Sequence, residues 1–313
     1  MKIVFLDSTV LPEHLPIPRP NFAHQWIEFE HTSSEQVLER AADADIVVTS
    51  KVVFSREIMA QLPKLKLIAL TATGTDNIDK EAAKEFGIAV KNVAGYSSIA
   101  VPEHVLGLIF SLKHSLHLWY KDQLQGKWTE SKQFCYFDYP VTDVRGSILG
   151  VFGKGSLGSE VGRLATALGM QVLYAEHKNA TQCRDGYTPF YDVLAQADIL
   201  TLHCPLTPDT QCLINSETLS HCKKGALLIN TGRGPLIDEQ AVVDALKSGQ
   251  LGGVAIDVLG KEPPAKDNPL IVAAQTLPNI IITPHIAWAS DQAVEILVDK
   301  VRSNLEEFVR TGK

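Results

Sequence analysis

One stretch, residues 147–170, constrains what this chain can fold into more than any other. It reads SILGVFGKGSLGSEVGRLATALGM. It begins with an apolar run that is typical of a buried parallel strand, and it ends with apolar side chains on one face of a helix. Between the two lie Gly153, Gly155 and Gly158, in the order G-x-G-x-x-G. A strand, a glycine turn and a helix in this order predict a dinucleotide-binding unit.

The three glycines have different physical roles in such a turn. The first permits the tight reversal from strand to helix, the second lets a pyrophosphate approach the backbone, and the third lets helix and strand pack closely. The unpaired N–H groups and the positive dipole end of the helix then favour the phosphates. A purely structural glycine turn is the alternative interpretation.

An acidic residue stands at the distance that a dinucleotide site requires. Glu176 lies 23 residues beyond Gly153, after a second apolar run at residues 171–175. A carboxylate there can accept hydrogen bonds from the adenosine ribose and would repel a 2′-phosphate, so NAD is expected rather than NADP. His177 and Lys178 leave partial NADPH use open, although a solvated basic turn explains them as well.

The composition argues against several other classes of protein. With 313 residues, 45% of them hydrophobic, the chain is long enough for about two domains. A net charge of −7 and the lack of any Lys/Arg block predict neither a nucleic-acid nor a membrane partner. No apolar run reaches the ~20 residues that span a bilayer, and the N-terminus lacks a signal-peptide core, so a cytoplasmic protein is expected. The five cysteines include no C-x-x-C pair and the ten histidines no H-E-x-x-H motif, so we expect neither disulfides nor a metal site.

Short strands alternate with helices along the whole chain, which predicts an α/β fold with two doubly wound parallel sheets. The first hundred residues lack a glycine phosphate turn and contain four predicted strands, at 2–6, 46–49, 67–70 and 89–91. This first lobe is expected to hold the substrate, and the amphipathic segment 292–309 is expected to pack back on it. We therefore expect a substrate domain of residues 1–98 and 287–313, with a Rossmann-like NAD-binding domain of residues 99–286 inserted in it.

Two segments that follow the first lobe have unusual patterns. Residues 100–123 predict one long helix that is apolar on more than one side, and such a helix is buried between lobes or between subunits. Residues 127–139 are aromatic and irregular, which indicates either a protein interface or a covered internal loop.

Polar loops follow two of the strands in the first lobe. Lys51 comes after the second strand, and Thr73, Gly74 and Thr75 come after the third. Loops at the carboxyl ends of parallel strands bind ligands in open α/β sheets. Gly74 would let backbone N–H groups approach an anionic substrate, and Lys51 could reach its carboxylate. A helix-capping turn at residues 76–79 and an ordinary surface lysine are the alternatives.

Four more strands are predicted in the second half of the chain, at 199–203, 226–230, 253–257 and 280–283. The polar residues at their ends are His203, Cys204 and Pro205, then Thr231 and Arg233, then Asp257 and Glu262, and finally His285. Because the carboxyl ends of parallel strands share one edge of a sheet, these residues are expected to form the rim of an active site.

Four of these side chains fit the reduction of a keto acid. Arg233, flanked by glycines, can hold a carboxylate bidentately and polarise an adjacent carbonyl. The imidazole of His285 is suited to passing a proton at neutral pH. Glu262 could hold the second ring nitrogen of His285, so that the ring is protonated when a carbonyl accepts a hydride. Asp257 could accept a hydrogen bond from the nicotinamide carboxamide.

The chain resembles the D-isomer-specific 2-hydroxyacid dehydrogenases over essentially its full length. The stretches that carry the resemblance are residues 150–158, 203–207, 230–238, 255–258, 262–263 and 283–287. The resemblance implies reversible hydride transfer between NADH and a 2-oxo acid, a flavodoxin-like and a Rossmann-like lobe, and usually a homodimer. It also implies catalytic roles for Arg233, Glu262 and His285.

The same residue-by-residue matching implies the contacts to the cofactor. They fall on Ser156, Leu157, Glu176, Cys204, Pro205, Thr231 and Asp257. His203 and the three glycines of the turn complete the expected cofactor-binding set.

Two further matches resemble the glycerate dehydrogenases, also called hydroxypyruvate reductases, within this family. They are Thr49-Ser50-Lys51 and the segment 285–288, in which Trp288 could wall a small substrate pocket. The expected reaction is the reduction of hydroxypyruvate to D-glycerate, or of glyoxylate to glycolate. The alternatives are a dehydrogenase of another 2-oxo acid or of phosphoglycerate, and a non-catalytic NAD(H)-sensing protein similar to the co-repressors that resemble this family.

Overall fold

The computed structural model describes residues 1–312, and its packing divides the chain into two compact units. The first unit comprises Met1–Ser97 and Ala289–Lys313, and the second comprises Ser98–Trp288. Each unit contains one parallel sheet. The expected binding of the substrate by the first unit and of NAD by the second remains a prediction.

Eleven strands and twelve α-helices form within residues 1–312. The strands are β1 (Lys2–Phe5), β2 (Gln25–Glu28), β3 (Ile46–Thr49), β4 (Leu67–Leu70), β5 (Ala89–Lys91), β6 (Ile148–Phe152), β7 (Gln171–Ala175), β8 (Ile199–Leu202), β9 (Ala226–Asn230), β10 (Leu251–Ile256) and β11 (Ile280–Ile282). The helices are α1 (Val37–Ala41), α2 (Arg56–Met59), α3 (Lys80–Glu85), α4 (Ala100–Lys113), α5 (Leu116–Leu124), α6 (Lys127–Glu130), α7 (Ser156–Ala167), α8 (Phe190–Gln196), α9 (Ser216–Ser220), α10 (Glu239–Lys247), α11 (Pro269–Ala273) and α12 (Asp291–Thr311). None of the helices in this range has both the length and the apolar composition needed to cross a membrane.

The sheet of the first unit has the order β2-β1-β3-β4-β5, and all its neighbouring strands are parallel. β3 and β4 are fully buried runs of mainly Val, Ile and Leu, and α12 packs against β4. The edge strand β2 is absent from the prediction because its sequence, QWIE, contains no apolar run and exposes both end residues. The strand order reverses between β1 and β3, which is the place where open sheets of this kind bind ligands.

The sheet of the second unit has the order β11-β10-β9-β8-β6-β7, again all parallel. An isolated parallel bridge between Ala175 and Thr188 adds a minimal strand beside β7. The sheet thereby acquires the order of a dinucleotide-binding fold, in which the order reverses beside the strand that carries the glycine turn. The two doubly wound parallel sheets expected from the sequence are confirmed.

The single long helix predicted for residues 100–123 is wrong. The helix ends at Lys113 and a second one begins at Leu116, because Ser115 adopts a left-handed backbone with φ of 52°. The Ser115 hydroxyl donates a hydrogen bond to the carbonyl of Pro140, at 2.7 Å, which stabilises the break. A serine in this conformation has no local sequence signal, since glycine or asparagine usually marks such a position.

The glycine turn between β6 and α7 depends on two close backbone approaches. Gly153 has φ of +106°, and a Cβ there would lie 2.6 Å from the backbone nitrogen of Cys204. A Cβ at Gly158 would lie 1.9 Å from the carbonyl oxygen of Gly153. By contrast, a Cβ at Gly155 would meet no other atom of the described chain within 4 Å. The protein itself therefore requires the first and third glycines, and only a ligand would require the second.

We expect Gly158→Ala to lower the Tm of the protein by about 2–8 °C, because the clash with Gly153 costs more than alanine gains in a helix. Gly155→Ser is the matched control, since its side chain enters open space and serine is a favourable N-cap for α7. Thermal unfolding followed by circular dichroism measures both variants. A Gly158→Ala protein as stable as the wild type would contradict the close approach.

Candidate active site

Four neighbouring strands of the second sheet deliver polar residues to one edge. The strand order places β8, β9, β10 and β11 side by side and parallel. His203 follows β8, Arg233 follows β9 by three residues, Asp257 follows β10, and His285 follows β11 by three residues. All of them therefore lie beyond the carboxyl ends of adjacent strands, where open α/β sheets bind their ligands.

The turn that carries Arg233 is held by the last residue of β9. The buried side chain of Asn230 donates to the Arg233 carbonyl, at 2.9 Å, and accepts from the Gly232 nitrogen, at 3.0 Å. The guanidinium Nη1 of Arg233 donates to the Gly232 carbonyl, at 2.9 Å. Sequence reasoning did not assign Asn230 this role, although an asparagine ending an otherwise apolar strand is a usable signal.

At Gly234 this turn packs closely against the loop that carries Glu262. A Cβ at Gly234 would lie 2.0 Å from the carbonyl carbon of Leu259 and 2.4 Å from the nitrogen of Gly260. Only glycine permits an approach of this kind between two stretches of backbone. The guanidinium turn and the carboxylate loop are consequently positioned together.

Glu262 and His285 form a direct hydrogen bond. The distance from His285 Nδ1 to Glu262 Oε2 is 2.6 Å, and Glu262 Oε1 accepts from the Leu259 nitrogen at 2.9 Å. The His285 and Glu262 side chains are 27% and 30% exposed, so the pair is still reachable by a ligand. With Nδ1 held by the carboxylate, Nε2 is the ring nitrogen that can exchange a proton with a ligand.

Asp257 holds the turn in which His285 lies. Its carboxylate is buried and accepts from the backbone nitrogens of Ile286 and Ala287, each at 3.0 Å, and from the hydroxyl of Thr283. His285 itself has a left-handed backbone with φ of 56°. The structure thus gives Asp257 a positioning role that was not foreseen, and its expected contact with nicotinamide remains a prediction.

Two residues next to this turn complete its hydrogen bonding. The indole nitrogen of Trp288 donates to the His285 carbonyl at 2.8 Å, which orients the ring that was expected to wall the substrate pocket. His104, on α4, has its Nε2 3.3 Å from the Thr283 hydroxyl and 3.8 Å from an Asp257 carboxylate oxygen. Sequence reasoning missed His104 because it lies on a helix more than 150 residues earlier in the chain.

Two polar atoms at the same edge are buried and have no partner within the described chain. They are Nδ1 of His203 and the hydroxyl oxygen of Thr231, at the ends of β8 and β9. Burial lowers the pKa of His203 to about 4, so its imidazole is neutral at physiological pH. Unpartnered buried polar atoms at a strand edge are expected where a ligand completes the hydrogen bonding.

The remaining expected cofactor contacts surround the glycine turn. Ser156 and Leu157 begin α7, and the N-terminus of a helix favours phosphate groups. Burial raises the pKa of the Cys204 thiol to about 11, so this cysteine stays protonated beside the turn. Pro205 follows it and is exposed. The open space at Gly155, the helix N-terminus and the unpartnered atoms all fit an NAD molecule.

Glu176, expected to accept from the adenosine ribose, is held by donors of its own domain. Its oxygens accept from the His177 nitrogen and from the backbone and guanidinium of Arg184, at 2.6–3.0 Å. The Arg184 guanidinium is the main reason why the pKa of Glu176 is lowered to about 2. Sequence reasoning did not identify Arg184, and the contact of Glu176 with ribose remains a prediction.

The other expected substrate residues lie in the first unit. Lys51 follows β3, and Thr73, Gly74 and Thr75 follow β4, so they share the carboxyl edge of the first sheet. Asp7, which was not predicted, lies at the end of β1 and holds the Lys51 loop. Its carboxylate accepts from the Lys51 nitrogen at 2.8 Å, and burial raises the pKa of Asp7.

Within residues 1–312 no group of three or more His, Cys, Asp or Glu side chains is arranged to hold a metal ion. The charged and titratable side chains at this edge include the Arg233 guanidinium and the His285 imidazole with its Glu262 partner.

Comparisons with known proteins agree with this site. The family described as "D-isomer specific 2-hydroxyacid dehydrogenase, NAD binding domain" matches residues 106–287. A Haemophilus influenzae protein that is provisionally named a 2-hydroxyacid dehydrogenase is 73% identical, over 99% of this chain and 98% of its own. Glycerate dehydrogenase of Methylorubrum extorquens is 45% identical, over 98% of this chain and 96% of its own. Hydroxypyruvate reductase of Blautia hydrogenotrophica is 38% identical, over 99% and 97%.

Among solved structures, NAD-dependent formate dehydrogenase of Staphylococcus aureus in complex with NAD has a TM-score of 0.82 to this chain. It is 25% identical and covers 100% of this chain and 97% of its own. The chain therefore belongs to the D-isomer-specific 2-hydroxyacid dehydrogenases, a family of NAD-dependent oxidoreductases that act on CH–OH groups.

Proposed function

We propose that the protein reduces hydroxypyruvate to D-glycerate, and glyoxylate to glycolate, with NADH as the hydride donor. The observation that carries the proposal is the 2.6 Å hydrogen bond between Glu262 and His285, which follow β10 and β11. Arg233 follows β9, the neighbour of β10 in the sheet. The names of two full-length relatives, a glycerate dehydrogenase and a hydroxypyruvate reductase, support this choice of substrate.

Each of the three side chains has a separate task in the proposed reaction. Bound NADH supplies a hydride to the carbonyl carbon. The Arg233 guanidinium pairs with the substrate carboxylate and polarises the neighbouring carbonyl. Nε2 of His285 donates a proton to the carbonyl oxygen, which becomes the hydroxyl of the product. The Glu262 carboxylate stabilises the imidazolium before the transfer and orients its ring.

We assign the cofactor and the substrate to different domains. Residues 99–286 would bind NAD through the glycine turn and the edge residues described above. Residues 1–98 and 287–313 would bind the substrate. Lys51 and the backbone of the loop at Thr73, Gly74 and Thr75 would contact the carboxylate or hydroxyl groups of a small 2-oxo acid, and Trp288 would limit its size.

We also propose that the protein is a homodimer, built on the aromatic segment 116–141. Within this segment large apolar side chains are exposed, namely Leu116, Tyr120, Leu124, Trp128, Phe134, Phe137 and Val141. Several large apolar side chains exposed on one segment are typical of an interaction surface. All five cysteines are free thiols, which favours a reducing compartment such as the cytoplasm.

The buried carboxylate of Asp122 organises the aromatic segment. It accepts from the Lys127 ammonium and the Tyr139 hydroxyl, each at 2.9 Å, and the Lys127 ammonium also pairs with Asp138. The rings of Tyr136 and Tyr139 pack edge-on against Trp119. This network holds the segment in one shape, as a specific interface requires.

A panel of 2-oxo acids tests the proposed substrate. We expect kcat/KM with NADH to be highest for hydroxypyruvate and glyoxylate, and at least about tenfold lower for pyruvate, 2-oxoisocaproate and phosphohydroxypyruvate. NADH absorbance gives the rates. A clear preference for one of the last three compounds would contradict the proposed substrate and leave the family intact. NADH binding and NADH-dependent assembly without any turnover would instead favour the sensing protein.

Arg233→Lys keeps the charge but loses the planar, bidentate fork. We expect kcat/KM for hydroxypyruvate to fall by about 100-fold, since a charge-assisted pair with the substrate carboxylate is lost. The affinity for NADH, measured by fluorescence titration, should stay unchanged. Arg163→Lys, an exposed arginine that pairs with Glu160 on α7, is the control. Near-normal turnover by Arg233→Lys would refute the assignment.

Asp122→Asn removes the charge that holds Lys127 and should loosen the aromatic segment. We expect the dimer to dissociate at about tenfold higher protein concentration or more, because the buried carboxylate that holds Lys127 and Tyr139 loses its charge. Sedimentation equilibrium measures this shift, with Asp192→Asn, an exposed carboxylate on α8, as the control. A wild-type protein that is monomeric at micromolar concentration would refute the dimer itself.

A further inference from the structure

The carboxylate at the end of β7 is fully hydrogen-bonded by donors of its own domain. Oε1 of Glu176 accepts from the His177 nitrogen, at 2.8 Å, and from Nη2 of Arg184, at 2.6 Å. Oε2 accepts from the backbone nitrogen of Arg184, at 3.0 Å, and from its Nε, at 2.8 Å. A carboxylate offers about four lone-pair positions, so these donors use all of them.

The same contacts neutralise the negative charge that would reject a 2′-phosphate. The Glu176 side chain is only 3% exposed, and Arg184 grips it in the bidentate geometry that makes such pairs strong. The Arg184 side chain is 54% exposed, so it is the guanidinium, not the carboxylate, that meets solvent here. Only two nitrogens of the guanidinium are engaged by Glu176, so other N–H groups remain for a further acceptor.

A second cation contacts the same tyrosine ring as Arg184. The Arg184 guanidinium stacks on the Tyr187 ring, with its carbon 4.0 Å from the ring centroid. The Lys154 ammonium lies 5.1 Å from the same centroid and donates to the Gly186 carbonyl at 3.3 Å. Because Lys154 stands between the first two glycines of the phosphate turn, it ties that turn to the Arg184 loop.

The basic residues that the sequence suggested for this task are placed differently. Lys178 is paired with Glu217 at 2.8 Å, and His177 contributes its backbone nitrogen to Glu176. Asp185, the acidic neighbour of Arg184 in the chain, is exposed. The positive charge beside the expected adenosine ribose therefore comes from Arg184 and Lys154.

We propose that Arg184, assisted by Lys154, receives the 2′-phosphate of NADPH, so that the protein accepts NADPH as well as NADH. Arginine matches the geometry of a phosphate with its planar fork, and the ion pair with Glu176 pre-orients that fork. Arg184 is thus the residue that sets the preference between the two cofactors. The inference rests on the proposed reductase function only for its kinetic readout.

Fragments of the cofactor test the proposal without any turnover. Isothermal titration calorimetry on the full chain compares 5′-AMP with 2′,5′-ADP, which differ only in the 2′-phosphate. We expect the wild type to bind 2′,5′-ADP at least as tightly as 5′-AMP. Arg184→Gln should weaken the binding of 2′,5′-ADP by about tenfold or more relative to the binding of 5′-AMP, since a charged hydrogen bond to phosphate is lost.

Two further variants complete this test. Lys154→Gln leaves the hydrogen bonds of Glu176 in place, so it probes the same phosphate even if Arg184→Gln folds poorly. We expect a smaller loss of affinity for 2′,5′-ADP in this variant. Arg163→Gln, which removes an exposed arginine from α7, should change neither affinity. Wild-type protein that binds 5′-AMP but not 2′,5′-ADP would overturn the proposal. Equal losses of affinity for 5′-AMP and 2′,5′-ADP, in both Arg184→Gln and Lys154→Gln, would overturn it as well.

Steady-state rates with hydroxypyruvate give the kinetic counterpart. The ratio of kcat/KM for NADPH to that for NADH should fall by about tenfold or more in Arg184→Gln. An unchanged ratio would overturn the proposal. If hydroxypyruvate is not reduced with either cofactor, the proposed substrate is wrong, and the calorimetry still decides the role of Arg184.

Discussion

The hydrogen bond between Glu262 and His285 is the interaction on which the active-site edge depends. Neither side chain lies in a regular element, so both need support from elsewhere in the domain. Asp257 supports the histidine by accepting hydrogen bonds from the backbone of the turn that contains it. Gly234 has no side chain, so the loop that carries Glu262 can pack directly against the Arg233 turn. The three proposed catalytic groups are therefore set by backbone constraints on adjacent strands.

The chain uses its strand-end carboxylates in two opposite ways. Glu262 is hydrogen-bonded to an imidazole that a ligand can reach, so the pair can take part in proton transfer. Asp257 and Glu176 are buried and bonded to backbone groups, and Glu176 is also locked by Arg184. A carboxylate found after a strand in the sequence is thus not by itself a ligand contact, because its free acceptor positions depend on what surrounds it.

Much of the fold was accessible from the sequence, because central parallel strands are continuous apolar runs and the glycine turn has a strict spacing. The residues after those strands were accessible for the same reason, since parallel strands end at one edge. The edge strand β2 and the break at Ser115 were not, because neither changes the apolar pattern. The roles of Arg184, Asn230 and His104 depend on tertiary contacts that no local spacing encodes.

The most direct test of the account is the turnover number of Glu262→Gln with hydroxypyruvate at saturating NADH. The amide oxygen can still accept from the Leu259 nitrogen, so the loop should keep its shape, while the charge facing His285 is lost. We expect kcat to fall by about tenfold or more, with the affinity for NADH unchanged. A kcat equal to that of the wild type would show that the Glu262–His285 pair does not carry the proton, and would contradict the central claim.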